Sequence, residues 1–272
     1  MHQAPVIGLP AQAEAIRARE QTGRILSVIV SVFVSGLLLI AAAGAFWIWL
    51  VDRPRPTYLW LTLAQVLIAL YSLVMVVGVF TELITQSQVS QLVGTLAPFS
   101  LAFWVLFWRD WFDLRDSWLR TWLPLALALL VALGQQSFAV DTYLSMHMIV
   151  AALALGTFGN FGLGILLVIA LFEGARRDRT AALVALPAVL LLIISSFSSE
   201  IIAWARLRTS VFPFGIQVGV SDVALVLLVL VTGALAVRRF IGSQVNQRLE
   251  RQTIDQELEQ LANSRSAFSS PS

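Results

Sequence analysis

The chain has 272 residues, and its eighteen basic side chains are all arginine, because lysine is absent. A retinal protein holds its chromophore as a Schiff base on a lysine amine inside the membrane, and no other side chain supplies that amine. The missing lysine therefore excludes light-driven pumping and retinal photosensing.

Cysteine is also absent, and histidine occurs only twice. Without cysteine there can be no disulfide, thiolate metal site or cysteine nucleophile. His147 is the only histidine beyond the second residue, which excludes bis-histidine haem ligation within one subunit and a multi-histidine zinc site. A Gly-rich phosphate loop, a nucleophile elbow and an HExxH motif are missing as well. We expect no enzymatic activity, no metal and no cofactor.

Apolar residues dominate what is present: they make up 58% of the chain, charged residues make up 12%, and the mean hydropathy is +0.82. Seven segments approach or exceed the roughly 20 apolar residues that cross about 30 Å of hydrocarbon. The sequence predicts an all-α, polytopic membrane protein, a seven-transmembrane helix bundle with a C-terminal cytoplasmic helix. The predicted spans are residues 25–51, 59–80, 92–107, 118–134, 148–172, 181–205 and 214–237. The predicted regions are a polar N-terminal segment (1–24), the transmembrane domain (25–237), a cytoplasmic connector helix (238–263) and a disordered tail (264–272).

The first span has some features of a signal peptide. Small residues at 41–45 resemble a cleavage site, and Arg17, Arg19 and Arg24 would form the positive region before the apolar stretch. The stretch stays apolar through residues 46–51, which favours an uncleaved span. Cleavage remains the alternative.

Arginine placement predicts the orientation. Lys and Arg accumulate on the cytoplasmic side of short flanks. The flanks after the first, third, fifth and seventh spans carry twelve arginines, at 53, 55, 109, 115, 120, 176, 177, 179, 238, 239, 248 and 251. The opposite flanks carry five, at 17, 19, 24, 206 and 208. We expect a multi-pass protein of the bacterial inner membrane with its N-terminus outside, its C-terminus in the cytoplasm and no nucleic-acid partner.

Polar side chains near the outer ends of the last two spans predict a ligand-binding pocket. Asp222 lies within the seventh span, where a carboxyl is costly unless it faces the bundle or a wet cavity. Glu200 and Ser196 lie one turn apart on the sixth span, and Gln217 lies at the outer end of the seventh. The alternative is structural: Glu200 would pair with a nearby arginine, and Asp222 would accept hydrogen bonds between helices.

The fifth span carries small residues on one face. Ala152, Gly156, Asn160 and Gly164 recur every four residues, which lets another helix approach closely while the amide hydrogen-bonds across the contact. We expect this face to serve helix packing.

Beyond residue 237 the chain continues in helix-forming residues and without proline to residue 261. Ile254, Leu258 and Leu261 follow a four-three spacing, too short for a sustained coiled coil. Two interpretations stay open for this signalling helix, a short homodimer interface and a solvated charged helix.

Three features together resemble the bacterial seven-transmembrane receptors with diverse intracellular signalling modules. They are the seven spans with an outward N-terminus, the cytoplasmic link Phe107-Trp-Arg-Asp-Trp-Phe-Asp-Leu-Arg-Asp, and Phe214-Gly-Ile-Gln-Val-Gly leading into the last span. The exit helix at 247–261 is similar to connectors that precede kinase, cyclase or SpoIIE-type phosphatase domains. The resemblance covers residues 25–261.

This resemblance implies a sensory input module that passes an outer-side stimulus through its last helix to a cytoplasmic effector. Such receptors usually carry an output domain, whereas this chain ends about 35 residues past the last predicted span. We therefore expect either a fragment or a module that acts through a partner.

The alternative function is a small-solute or proton transporter or channel subunit, with Asp222, Glu200 and Asn160 lining the path. It predicts an internal repeat between the two halves, which the sequence does not display. A membrane scaffold is the third possibility.

Overall fold

The computed structural model describes residues 10–51, 56–80, 85–114, 118–139, 146–196, 210–211 and 218–268. The described chain is almost entirely helical, which confirms the predicted helical class. Its helices are α1 (Pro10–Val51), α2 (Thr57–Phe80), α3 (Gln86–Trp111), α4 (Trp118–Ala139), α5 (Met146–Ala175), α6 (Arg179–Ser196) and α7 (Val220–Phe268). Between α6 and α7, the two-residue strands β1 (Ser210–Val211) and β2 (Val218–Gly219) pair antiparallel.

Five of these helices are long and apolar enough to cross a bilayer. Their apolar stretches are Val28–Val51, Thr57–Gly78, Ser87–Trp111, Ala154–Ala175 and Ser221–Ser243. The apolar parts of α4 and α6, Thr121–Gln136 and Arg179–Ile194, are shorter. The helices are thus those of a membrane protein, while the count of seven spans stays a prediction.

Large apolar side chains project outward from the helices. Ile40 on α1 is 72% exposed and Phe158 on α5 is 75% exposed. In water such an exterior would drive association, whereas in lipid it costs nothing. The exposed apolar surface is consistent with contact with the bilayer.

Helices that follow one another pack together from α1 to α6, and α3 also packs against α5. α3 contributes the fully buried aromatic residues Trp104, Phe107 and Trp108. The Phe107 ring meets Trp108 edge-on at 4.8 Å between centroids, a favoured aromatic arrangement. α3 is therefore the helix around which the aromatic core is built.

Both ends of α3 are capped by local hydrogen bonds. At its start the Gln88 N–H donates to Thr85 Oγ1 (3.3 Å) and the Thr85 N–H donates to Gln88 Oε1 (2.9 Å), a capping box. At its end the Leu114 N–H donates to the Arg109 carbonyl (3.1 Å) and the Asp113 N–H to the Asp110 carbonyl (3.2 Å). This is a Schellman motif, with Asp113 at φ 47° in the position that glycine usually takes.

Several boundaries differ from the sequence-based expectation. α7 begins at Val220 rather than at residue 214, because Val218 and Gly219 are extended and paired with β1. α1 begins at Pro10, within the predicted polar segment, and α7 continues to Phe268 in place of a tail that begins at 264. α6 ends at Ser196, and residues 197–205 of the predicted sixth span lie outside the described residues.

The chain divides into two compact units, Met1–Val231 and Thr232–Ser272. The first contains α1 to α6, the strand pair and the start of α7. The second is the rest of α7 and the residues after it.

Candidate functional site

A cavity of about 270 Å³ lies among α2, α3, α5, α6 and α7, within the first unit. The polar residues that line it are Tyr71, Ser100, Asn160, Ser196 and Ser221. Its apolar lining residues are Ile68, Ala97, Leu101, Leu192 and Leu225. It combines a mostly apolar wall with a few polar groups, as small-molecule sites do.

Helical spacing explains how four helices line this cavity with one turn each. Residues three or four apart lie on the same face of a helix. Ile68 and Tyr71 are three apart on α2, Leu192 and Ser196 are four apart on α6, and Ser221 and Leu225 are four apart on α7. The cavity is therefore built from single turns of separate helices, which no local sequence motif encodes.

The exposure of the polar lining residues falls toward α3. Ser196 and Ser221 are exposed, and Tyr71 and Asn160 are partly buried. Ser100 on α3 is only 2% exposed. Ser196 ends α6 and Ser221 is near the start of α7, so these two residues lie toward the end of the bundle that the arginine pattern predicts to be outer.

Two of the serine hydroxyls are already used as donors. Ser100 Oγ donates to the Ala64 carbonyl of α2 at 3.2 Å, and Ser196 Oγ donates to the Leu192 carbonyl at 2.8 Å. A carbonyl oxygen can only accept, so the single hydroxyl proton belongs to each of these bonds. Both serines can thus offer only lone pairs to a molecule in the cavity.

Asp222 adjoins the cavity. It follows Ser221, precedes Leu225 by three residues and is partly buried in the first turn of α7. An acidic residue in a first turn also stabilises its own helix through the helix dipole, so Asp222 has a structural role there as well.

The structure brings together some of the residues that the sequence singles out. Ser196 lines the cavity, and Asp222 follows the lining residue Ser221 in α7. Glu200 and Gln217 lie outside the described residues. Asn160, expected to serve packing or a transport path, also lines the cavity.

Three polar lining residues escaped the sequence reasoning, namely Tyr71, Ser100 and Ser221. The available signal was a hydroxyl within an apolar span. That signal alone does not identify which hydroxyls on different helices meet, because their proximity depends on how the helices pack.

The small-residue face of α5 lies close to α4 at Gly156. A Cβ added to Gly156 would lie 3.5 Å from Gln135 Nε2, an ordinary contact, and Gly164 is buried. The tighter approaches are at Gly159, against Val131, and at Gly162, against Leu127. The close packing of α4 on α5 thus involves glycines outside the predicted set. Ala152 is helical, in α5.

A second polar cluster lies at the opposite end of the bundle, where the last turn of α3 meets the first turn of α4. Arg109 is 7% exposed and forms an ion pair with Asp110 at 2.7 Å. Its Nη1 donates to Thr121 Oγ1 of α4 at 2.6 Å. This cluster joins helix ends and lines no part of the cavity.

The turn between α5 and α6 is tied to the same end of α3. The Arg177 guanidinium donates to the backbone carbonyls of Phe112 and Asp113. At the start of α6 the Ala181 N–H donates to Asp178 Oδ1 at 3.0 Å. Among the residues that the structure describes, no group of three or more histidine, aspartate or glutamate side chains is arranged to hold a metal ion.

Comparison of the chain with protein-family models, with curated proteins and with solved structures finds no match. The residues of the cavity therefore carry the functional inference.

Proposed function

We propose that this chain is the membrane-embedded input module of a signalling system. A molecule that enters the cavity from the outer side would favour one packing of the helices over another. The start of α7 would respond to that change, and the helix would carry it to a cytoplasmic effector.

The observation that supports this proposal is the position of Ser221 and Leu225. Both line the cavity, and both belong to the helix that continues to Phe268. A ligand in the cavity would touch the same helix that leaves the membrane. Such a device requires two packings with different affinity for the ligand, since a ligand that binds both equally shifts nothing.

We further propose a bacterial inner-membrane location with the N-terminus outside. At the α5–α6 turn, Arg176, Arg177 and Arg179 are exposed, as expected of a cytoplasmic flank. The effector would be a kinase, cyclase or SpoIIE-type phosphatase, either as a further domain or as a partner, as the resemblance implies. Ile254, Leu258 and Leu261 lie on the proposed signalling helix, and Ile254 is exposed there, where a second copy could pack.

The test is a fusion of the full chain to a heterologous catalytic domain with a measurable output. Ser221→Trp places a large ring at the cavity lining, at an exposed position. Leu230→Trp is the matched control, because Leu230 is on the same helix and 63% exposed. We expect Ser221→Trp to shift the basal output severalfold at equal protein abundance, and Leu230→Trp to leave it unchanged. Equal output from both variants and the parent fusion would contradict the proposal.

The rival function is transport of a small solute or proton. Its support is that Ser100 and Asn160 bring polar groups to the cavity from the middle of two apolar helices. Purified protein in proteoliposomes would then move a labelled solute or protons, and Asp222→Asn would abolish the flux. If the proteoliposomes show no flux and the output of the fusion changes with Ser221→Trp, signalling is favoured over transport.

A further inference from the structure

We propose that the cavity binds a small organic ammonium, whose charged head lies against Asp222 and the serine hydroxyls and whose hydrocarbon part fills the apolar wall. This inference deepens the proposed function and rests on its cavity. It names the class of ligand, which neither the sequence nor the fold assigns.

Two of the five polar groups that line the cavity favour a ligand that donates hydrogen bonds, while Tyr71, Ser221 and Asn160 can donate as well as accept. The protons of Ser100 and Ser196 are held by the carbonyls of Ala64 and Leu192, so both oxygens face a ligand as acceptors. An ammonium group brings up to three donors and no acceptor. A ligand rich in acceptors, such as a carboxylate or phosphate, would find these two oxygens repulsive.

The charge around the cavity has the matching sign. Among the described lining residues none is basic or acidic, and the acidic residue that adjoins them is Asp222. Within this described lining an anion would find no counter-charge, whereas a cation would be attracted to the nearby carboxylate of Asp222. Tyr71 also lines the cavity, and aromatic rings of this kind bind cations.

The volume of the cavity and its apolar wall limit the size and polarity of the rest of the ligand. The cavity volume of about 270 Å³ is just below the usual range for small-molecule sites, which is roughly 300–1,000 Å³. Ile68, Leu101, Leu192 and Leu225 supply aliphatic surface for a compact hydrocarbon body. Cyclohexylammonium is a suitable probe because it combines a permanent charge at neutral pH with a rigid six-carbon ring.

The experiment uses the full chain in lipid nanodiscs and measures equilibrium binding of radiolabelled cyclohexylammonium, with empty nanodiscs as the background. Cyclohexanol and cyclohexanecarboxylate are the competitors, because they keep the ring and change only the charge. We expect the ammonium to bind about tenfold or more tightly than either competitor. Equal competition by the alcohol or the carboxylate would overturn the inference.

Substitutions assign the binding to this cavity. Asp222→Asn should weaken the ammonium by about tenfold or more, and Ser196→Ala by a few fold, because each removes an acceptor or a charge beside the head group. The matched control is Asp178→Asn, which removes a carboxylate far from the cavity lining and keeps an oxygen to cap α6. If Asp178→Asn and Asp222→Asn weaken binding alike, the assignment to Asp222 is wrong.

A structural role of Asp222 gives a different result. If Asp222 only stabilises the start of α7, Asp222→Asn lowers the melting temperature while the ammonium and alcohol affinities change together. That outcome would overturn the ligand class. The ligand class and the proposed function can fail separately. Selective ammonium binding without any change in the output of the fusion contradicts signalling alone. A fusion whose output responds, without any selectivity of the protein for the ammonium, contradicts the ligand class alone.

Discussion

The indole N–H of Trp60 donates to Asp110 Oδ2 at 2.8 Å, joining α2 to the end of α3. The other carboxylate oxygen accepts from Arg109 Nε at 3.0 Å and from Nη2 at 2.7 Å. Because Arg109 also donates to Thr121 of α4, one ion pair connects three helices. The end of α3 is thus held to α2 and α4 by an electrostatic cluster and not by apolar packing alone.

Removing the carboxylate should be costly. Asp110→Ala leaves the guanidinium of Arg109, which is 7% exposed, without its carboxylate, and breaking a buried ion pair in this way costs about 3–5 kcal/mol. The free energy of unfolding in mixed detergent micelles, followed by tryptophan fluorescence, measures this loss. Trp60→Phe should cost about 1 kcal/mol for the lost hydrogen bond to the same carboxylate, in addition to any loss of its stacking on Phe103. If Asp110→Ala were no more destabilising than Trp60→Phe, the ion pair would contribute nothing beyond that bond.

The cap of α3 makes a prediction about backbone conformation. Asp113 has a φ of 47°, which a β-branched residue adopts only with strain. Asp113→Val should destabilise the protein by about 1–2 kcal/mol relative to Asp113→Gly, since glycine tolerates this conformation. Both variants lose the aspartate side chain, so the difference in their melting temperatures isolates the effect of φ. Equal melting temperatures would show that the residue can leave the left-handed region without cost.

The contact between Gly174 of α5 and the ring of Phe112 leaves no space for a methyl group. Gly174→Ala should therefore overpack this site and cost about 1–3 kcal/mol. Gly44→Ala is the matched control, because no other part of the protein lies within 4 Å of a Cβ added there. In a helix that substitution should gain up to about 1 kcal/mol. Thermal unfolding of the two variants should change in opposite directions, and a shared direction would contradict the close approach of α5 to Phe112.

Transmission along α7 would depend on helical phase. In the fusion used to test signalling, one alanine inserted after Gln244 turns everything beyond it by about 100°, whereas seven inserted residues restore the phase to within about 20°. We expect the single insertion to disrupt the response of the output domain and the seven-residue insertion to preserve it. If both insertions behave alike, a rigid rotation or displacement of α7 is not the signal.

The outline of this protein could be predicted from its sequence because bilayer crossing depends on local composition. Uninterrupted apolar residues identified α2 and α5 to within three residues of their described ends and α4 to within five. The prediction shortened α3, since its polar first turn is stabilised by the Thr85 capping box and not by hydropathy. The start of α7 was misplaced because Val218 and Gly219 are as apolar as a span, yet pair as a strand.

The candidate site was predicted only where polarity was conspicuous. A carboxyl within an apolar span drew attention to Asp222, and a serine-rich helix end drew attention to Ser196. The hydroxyls of Tyr71 and Ser100 gave no such signal, since a single hydroxyl in a span is common. Their importance comes from neighbours that are distant in the chain, such as the Ala64 carbonyl that takes the Ser100 proton.

The sequence by itself determined that this is a helical membrane protein, because its apolar stretches are a matter of local composition. It also excluded retinal and thiol chemistry, because lysine and cysteine are absent however the chain folds. Only the tertiary structure decided that single turns of α2, α3, α6 and α7 meet Asn160 of α5 around one cavity. The reason is that hydropathy fixes how a helix is placed in the bilayer, whereas the contacts between helices fix which faces meet and which hydroxyl protons are already used.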